Sequence, residues 1–213
     1  MERPTGLNPK IAAGIIILFH IVGLVGLAVP AIQPIFLKIV PFHLILMLVV
    51  LFLTHNPINE KFISFMALIY ILGFAVEWVG VHKSWIFGHY AYDNTLGVKV
   101  SAIPLTIGIN WFMLIYATGI TMARSRIRSK WARIILGAAM LVALDLLIEP
   151  VAIKFNYWHW YSNTIPLKNY FGWFAASGFM LWLFEEFKFK NQSWIPPLFL
   201  GIQFVFFGLL NLL

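Results

Sequence analysis

The sequence contains no cysteine, and this absence excludes disulfide frameworks, thiolate metal sites and thiol nucleophiles. Charged residues are also scarce. They make up 11% of the 213 residues, whereas a soluble domain carries about 25%. Hydrophobic residues make up 61%, so the chain has too few charges to cover a water-facing surface. The composition therefore predicts an integral membrane protein.

Several motifs of membrane enzymes are missing as well. His82 and His89 are seven residues apart and His159 stands alone, so no histidine cluster has the spacing that a di-iron hydroxylase needs. The last apolar segment has no lysine for a retinal Schiff base, and no glycine-rich phosphate loop or Ser–His hydrolase pattern is present. We therefore expect no metal and no cofactor. The remaining chemistry is carboxylic acid–base chemistry on a lipid-soluble molecule.

Long apolar segments predict an all-α fold, a polytopic bundle of six or seven transmembrane helices that forms one domain over residues 1–213. A span needs about 20 mostly apolar residues. The first segment is interpreted as a retained span and not as a cleaved signal peptide. The second is the weakest, because Pro34, Lys38 and Pro41 could kink it or delay its start. The segments are Ile11–Val29, Ile35–Leu53, Phe62–Val81, Ala102–Ala123, Trp131–Ile153, Phe171–Phe187 and Ile195–Leu213.

The distribution of lysine and arginine predicts the orientation. Five basic residues crowd the connection Arg124–Arg133, which marks that end as cytoplasmic. Alternation of the spans then puts Arg3 and Lys10 on the same side, so the N-terminus is predicted to be cytoplasmic. The net charge of +7 is thereby explained by contact with membrane lipids, and it does not indicate nucleic acid binding.

Both long connections, residues 82–101 and 154–170, fall on the outer side and are rich in aromatic residues. One interpretation is an interfacial aromatic belt. The other is a lid over a site that opens at the outer leaflet. The sequence leaves both open.

Three acidic residues lie inside predicted spans: Glu77, Asp145 and Glu149. A charged side chain in mid-bilayer costs roughly 2.5–3.5 kcal/mol on insertion scales, so such groups indicate a functional site by default. Asp145 and Glu149 are four residues apart and share a helix face. All three carboxyls and the Asn110 amide are predicted to fall within a depth of roughly 10 Å in the outer half of the membrane. The alternative is that these groups only join helices through hydrogen bonds.

Two stretches around the outer loops carry a recognisable pattern. The first contains Glu77-Trp78-Val79-Gly80-Val81-His82, Phe87-Gly88-His89-Tyr90-Ala91-Tyr92 and Asn110-Trp111; the second contains Asp145-Leu146-Leu147-Ile148-Glu149-Pro150, Trp158-His159-Trp160 and Pro166-Leu167-Lys168-Asn169-Tyr170. Over residues 74–173 the chain resembles the membrane-integral carotenoid 1,2-hydratases. It departs at Glu149, where the family is expected to carry aspartate more often.

The resemblance implies hydration of the terminal 1,2 double bond of an acyclic carotenoid end group, a lipid-soluble substrate, in the cell membrane of a bacterium or archaeon. A carboxylic acid would protonate the alkene, and water would capture the tertiary carbocation. Asp145 or Glu149 is the expected proton donor. Glu77 is expected to be its partner or the base that deprotonates water, and Asn110 to position that water.

Further residues are expected to bind substrate or water, or to assist proton transfer. The aromatic candidates for stabilising the cation are Trp78, Tyr92, Trp111 and Trp173. His82, His89 and Asp93 are candidates for relaying protons from the outer surface, and Lys99 for a counter-ion to one carboxylate. The oligomeric state is left open.

Three other functions stay open at this point. A lycopene cyclase would begin with the same protonation but let an internal alkene capture the cation. A small proton-coupled transporter would use the acidic trio as a relay, and it predicts inverted repeats, of which the sequence shows none. A non-catalytic subunit would tolerate loss of the carboxyls.

Overall fold

The computed structural model describes residues 6–162, 164–190 and 192–213, and its regular structure is predominantly helical. This confirms the predicted all-α class and membrane-type bundle. The division into one domain stays a prediction. The helices are α1 (Pro9–Ala28), α2 (Gln33–Leu53), α3 (Glu60–Lys83), α4 (Leu105–Arg124), α5 (Lys130–Lys154), α6 (Leu167–Phe187) and α7 (Ile195–Leu210).

Five of these helices, α1 to α5, are long and apolar enough to cross a membrane. Helix α7 is apolar but has 16 residues, which corresponds to about 24 Å, less than the roughly 30 Å of the hydrocarbon core. Helix α6 has 21 residues, but its asparagine, glycine, serine and tryptophan residues lower its hydropathy. The total of six or seven spans therefore stays a prediction, as does the cytoplasmic N-terminus.

Polar side chains fix the starts of several helices. Asn8 accepts a hydrogen bond from the backbone N–H of Lys10 at the start of α1, and Asn59 accepts one from Phe62 at the start of α3. Such N-caps satisfy backbone donors that have no partner within the helix. Helix α2 has no such cap, yet it starts two residues before the predicted Ile35 and continues through Pro41. The prediction that this helix starts late is therefore wrong.

The fourth span begins later than expected. It was predicted to start at Ala102, but α4 starts at Leu105. The intervening residues form a tight hairpin of strands β2 (Lys99–Val100) and β3 (Ile103–Pro104). Ser101 and Ala102 turn the chain with φ angles of 51° and 67°, which excludes a helical start there. Helix α6 begins four residues before the predicted Phe171, and α7 ends at Leu210, three residues short of the prediction.

Helix α4 lies at the centre of the bundle. Fourteen of its 20 residues are buried, and it packs against α2, α3, α5, α6 and α7. Small residues allow the close approaches, as is usual between membrane helices. A Cβ atom at Gly73 would lie 2.5 Å from the Cβ of Trp111, and one at Gly119 would lie 2.5 Å from the ring of Phe184. The contact at Gly73 brings Trp111 of α4 against α3, one turn from Glu77.

The end of the bundle that is predicted to be cytoplasmic is joined by ion pairs between α5 and α6. Arg133 binds Glu185 through two parallel hydrogen bonds of 2.7 and 2.6 Å, and Lys130 contacts Glu186. Arg3, which supported the predicted orientation, lies outside the described residues.

At the opposite end the two long connections pair with each other. Strand β1 (Tyr90–Tyr92) lies antiparallel to β4 (Trp158–Trp160). Backbone hydrogen bonds from Asp93 to Tyr157 and from Tyr161 to His89 extend the ladder at both ends. The sequence did not predict this sheet, because it joins segments about 70 residues apart.

The orientation can be tested by cysteine labelling, since the natural chain has no cysteine. Ser162→Cys, beside the outer sheet, should react with a membrane-impermeant maleimide in intact cells. Ser129→Cys, in the arginine-rich connection, should react only after the membrane is permeabilised. The unsubstituted chain serves as the unlabelled control. The opposite labelling pattern would show that the N-terminus lies outside.

Candidate functional site

Glu77 is a buried carboxyl near the end of α3, with 4% of its surface exposed. Three donors surround it. The hydroxyls of Tyr90 and Tyr92 donate to Oε2 at 2.5 and 2.7 Å, and the indole N–H of Trp111 donates to Oε1 at 3.0 Å. Hydrogen bonds to both oxygens stabilise the ionised form of a carboxyl that water does not reach.

Glu149 on α5 is buried in the same way, with 1% exposed. The indole N–H groups of Trp158 and Trp160 donate to Oε2 at 3.1 and 2.9 Å. The amide of Asn169, in the first turn of α6, donates to Oε1 at 3.1 Å. All three donors are N–H groups of indoles or an amide, which are weaker hydrogen-bond donors than the phenol O–H groups that bind Glu77.

The sheet of β1 and β4 supplies four of these six donors. Tyr90 pairs with Trp160, and Tyr92 pairs with Trp158. Because alternate residues of a strand point to the same face, all four side chains point towards the carboxyls. Strand β1 serves one glutamate and β4 serves the other. The sheet therefore covers the two glutamates at this end of the bundle, and β1 and β4 together are called the lid below. Trp85 and Tyr161 are 70% and 57% exposed, which fits the other interpretation, an aromatic belt.

The two tyrosines of the lid remain donors at neutral pH. Burial raises the pKa of Tyr90 and of Tyr92 well above the ordinary value for a phenol, and the neighbouring Glu77 charge adds to the shift. A neutral phenol presents its O–H to the carboxylate, which is the geometry observed.

Asp145 lies one helical turn before Glu149 and is fully buried. The amide nitrogen of Asn169 donates to Asp145 Oδ2 at 2.7 Å and so bridges the two carboxyls. Asp145 Oδ1 has no hydrogen-bond partner among the described residues. With one donor, Asp145 is a poorer site for a negative charge than either glutamate.

A small cavity of about 30 Å³ lies between the two glutamates. This is room for one or two water molecules. Glu77 and Glu149 line it, but Asp145 does not. Its other lining residues are Phe87, Tyr90, Tyr92, Ile107, Asn110, Trp111, Trp158, Trp160, Asn169 and Trp173.

A second, largely apolar cavity of about 320 Å³ lies between α1, α2, α4 and α7. It shares Ile107, Asn110 and Trp158 with the small cavity. Its lining includes Val22 and Phe42, which are 43% and 69% exposed on the membrane-facing side of α1 and α2. The cavity therefore runs from the lipid-facing surface to the wall of the small polar cavity.

The structure brings together six of the residues that the sequence suggested. Glu77, Glu149, Tyr92, Asn110, Trp111 and Trp173 all line the small cavity. The rings of Trp111 and Trp173 stack at 4.6 Å between centroids. The Asn110 amide makes no hydrogen bond to the described residues, so its donor and acceptor groups are available to a molecule in either cavity.

The other candidates lie away from the carboxyls. Trp78 donates to Ser101 at 3.0 Å, and His82 stacks on Trp78. Lys99 donates to the backbone carbonyl of Tyr92 at 2.7 Å, and no carboxylate of the described residues lies within 4 Å of it. The remaining two are on the outer face of the lid, where His89 stacks on Tyr161 and Asp93 contacts His159. None of the five side chains makes a hydrogen bond or an ion pair with Glu77 or Glu149.

Sequence reasoning missed four residues that bind the carboxyls: Tyr90, Trp158, Trp160 and Asn169. The first three did carry a signal. An aromatic donor recurs at two-residue spacing in each outer loop, which is the period of one strand face. Among the described residues no group of three or more histidine, cysteine or acidic residues could hold a metal ion.

Comparison with known proteins connects this geometry to a family. Residues 35–213 match the family described as "Carotenoid biosynthesis protein". The chain belongs to that family. The matched region contains every residue that lines the small cavity, and it includes the stretch 74–173 that carried the resemblance.

One curated relative is the bisanhydrobacterioruberin hydratase of Haloarcula japonica. It is 24% identical over 122 residues, which is 54% of this chain and 42% of the relative. The match therefore spans less than half the length of that relative. No solved structure matches the chain.

The bridge that Asn169 forms between Asp145 and Glu149 can be tested by measuring the stability of variants. Asn169→Leu removes a donor from two buried carboxyls, so we expect a loss of about 1–3 kcal/mol in the free energy of unfolding, measured by thermal unfolding in detergent. Asn110→Leu is the matched control, because it makes the same substitution where the amide has no protein partner, and its stability should change little. Equal losses in the two variants would contradict the bridging role.

Proposed function

We propose that this protein is a carotenoid 1,2-hydratase, which adds water across the terminal double bond of an acyclic carotenoid end group without a cofactor. The observation that carries the proposal is the junction of the two cavities. A lipid-accessible apolar cavity meets a water-sized polar cavity lined by two buried glutamates. The family supports carotenoid chemistry, and the name of the Haloarcula relative supports hydration.

In the proposed reaction Glu149 is the acid. Glu77 accepts two short hydrogen bonds from phenols, which favours its ionised form. Glu149 has weaker donors, and it faces the anionic Glu77 across the small cavity. Like charges so close disfavour a second anion. A neutral Glu149 and an anionic Glu77 are therefore the pair that the hydrogen bonds support best.

The steps balance without an added reagent. Neutral Glu149 gives its proton to the less substituted alkene carbon, and the π electrons form the new C–H bond. The tertiary carbocation that results lies between two carboxylates, and the faces of Trp111, Trp158 and Trp173 are available to stabilise it, at roughly 0.5–2 kcal/mol each. A water in the small cavity adds to the cation, and its proton passes to a carboxylate, which restores the starting charge.

Asp145 takes a different role from the one that its sequence position suggested. It does not line either cavity, so it cannot contact the alkene in this arrangement. It holds Asn169 against Glu149, because the same amide nitrogen donates to both carboxyls. We assign it as a positioning residue, and Asn110, on the wall common to both cavities, as the residue that orients the water.

Water-sized space at the acid favours hydration over the cyclase alternative. A cyclase must keep water from the cation so that an internal alkene can capture it. Here the small cavity has polar walls on the side of the lid, where water would enter. We place the reaction at the outer leaflet of the cell membrane of a bacterium or archaeon.

The reaction can be tested by expressing the chain in a bacterial host that accumulates lycopene. We expect a more polar pigment that is heavier by one or two water molecules, identified by liquid chromatography with mass detection. A pigment of unchanged mass with a shortened chromophore would show a cyclase instead. Unchanged lycopene, with the protein confirmed in the membrane, would count against lycopene hydration.

Substitution of each buried carboxyl should show how much it contributes to turnover. Glu149→Gln and Glu77→Gln should each lower turnover by about 10²–10⁴-fold, because each removes proton transfer at the reacting carbons. Asp145→Asn should retain measurable turnover. Glu186→Gln, at the far end of α6, is the control for expression and should be unaffected. If all three buried variants turn over as the natural protein does, the site assignment is wrong.

A further inference from the structure

The large cavity contains a second polar cluster that the proposed reaction does not use. His20 on α1, His43 on α2 and Gln203 on α7 all line it, in the middle of their helices. The rest of the wall near them is formed by apolar side chains such as Phe199 and Phe206. Polar groups at this depth are costly unless they have partners.

The hydrogen bonds determine which atoms of His20 and Gln203 are occupied. His20 Nδ1 lies 2.7 Å from the carbonyl oxygen of Ile16. A carbonyl only accepts, so Nδ1 carries the hydrogen. His20 Nε2 is then an acceptor, and it receives an N–H of the Gln203 amide at 2.8 Å. The Gln203 oxygen and its second N–H make no hydrogen bond to the described residues.

His43 has no hydrogen bond at all to the described residues. Its ring meets that of His20 edge-on, with centroids 4.8 Å apart, and it lines the cavity. A polar residue that only joined helices would bond to a neighbouring helix. His43 instead presents a ring donor and a ring acceptor to the cavity, beside the free groups of Gln203.

The cluster lies deeper than the acid. His43 is ten residues from the start of α2 and Asn110 is five residues from the start of α4. At 1.5 Å per residue these positions are about 15 Å and about 7.5 Å below the end of the bundle that carries the lid. The two positions therefore differ by about 8 Å in depth, so a chain with its reactive end at Asn110 would reach His43 at least that far along.

We propose that His43 and Gln203 bind an oxygen substituent, a hydroxyl or a carbonyl, on the isoprenoid chain whose end group is hydrated. The inference rests on the proposed function for the identity of the chain. It makes the cluster a specificity site that favours chains already oxygenated at one position. A reaction that introduces oxygen into the chain would then precede hydration in the reaction sequence.

The test is a binding measurement that needs no turnover. The Glu149→Gln protein in lipid nanodiscs would be titrated with lycopene and with a set of lycopene derivatives, each carrying one keto group at a successive carbon from the terminal alkene. Quenching of tryptophan fluorescence reports binding, because Trp158 lines the cavity. We expect a derivative with its keto group at least about 8 Å from the alkene to bind about three- to tenfold more tightly than lycopene, as one or two hydrogen bonds allow.

Two variants and a control show whether a preference for the keto derivative depends on His43 and Gln203. His43→Phe and Gln203→Met should abolish the preference and leave lycopene binding nearly unchanged. Phe206→Leu alters the same cavity without altering its polarity, so it should change the affinities for both ligands by the same factor. A single variant that fails to fold leaves the other as the test.

Equal binding of all derivatives by the Glu149→Gln protein would overturn the inference, since it would mean that water or nothing occupies the cluster. A preference that persists in both cluster variants would overturn it too. Failure of the proposed function would give a different result, because the natural protein would then bind these chains and leave them all unhydrated. The preference for the keto derivative is measured by binding alone, so it can be present or absent whether or not the chains are hydrated.

Discussion

The structure depends on the need to satisfy two carboxyl groups, Glu77 and Glu149, that are buried away from bulk water. An unpaired buried carboxylate would cost far more than the few kcal/mol by which a protein is stable. Six hydrogen bonds meet this need, three for Glu77 and three for Glu149. The donors come from the sheet and from two helices, α4 and α6. Each of these elements therefore donates a hydrogen bond to a buried carboxyl. For β1 and β4 these bonds favour ordered strands in the outer connections.

The same requirement explains the central position of α4. Its Trp111 reaches Glu77 only because Gly73 lets α3 approach closely. The neighbouring Asn110 lies on the wall common to both cavities. One helix thus brings a donor to the carboxylate and a free amide to the place where the apolar and polar cavities meet.

Much of this could be predicted from the sequence, because hydropathy and helix rise are local properties. They located the helices within a few residues and predicted that Glu77, Glu149 and Asn110 lie close together, as they do in the small cavity. They could not show that Asp145 lies behind its neighbour, since a shared helix face does not say which residue borders a cavity. The pairing of β1 with β4 was also out of reach, because it depends on contacts between distant segments. The two-residue spacing of Tyr90 and Tyr92 fits a strand, but three residues are too few to distinguish a strand from a loop.

The lid has a consequence for how the two reactants arrive. Its four inner side chains bind both glutamates, so a movement large enough to open it would strip donors from both carboxyls at the same moment. A carotenoid bound in the large cavity would not need such a movement, because that cavity reaches the lipid-facing surface of α1 and α2 at Val22 and Phe42. In the proposed hydration only water would have to pass the sheet, and one small molecule can pass between side chains without separating the strands. Separate entrances would thus let a bulky substrate exchange repeatedly while the acid stays assembled.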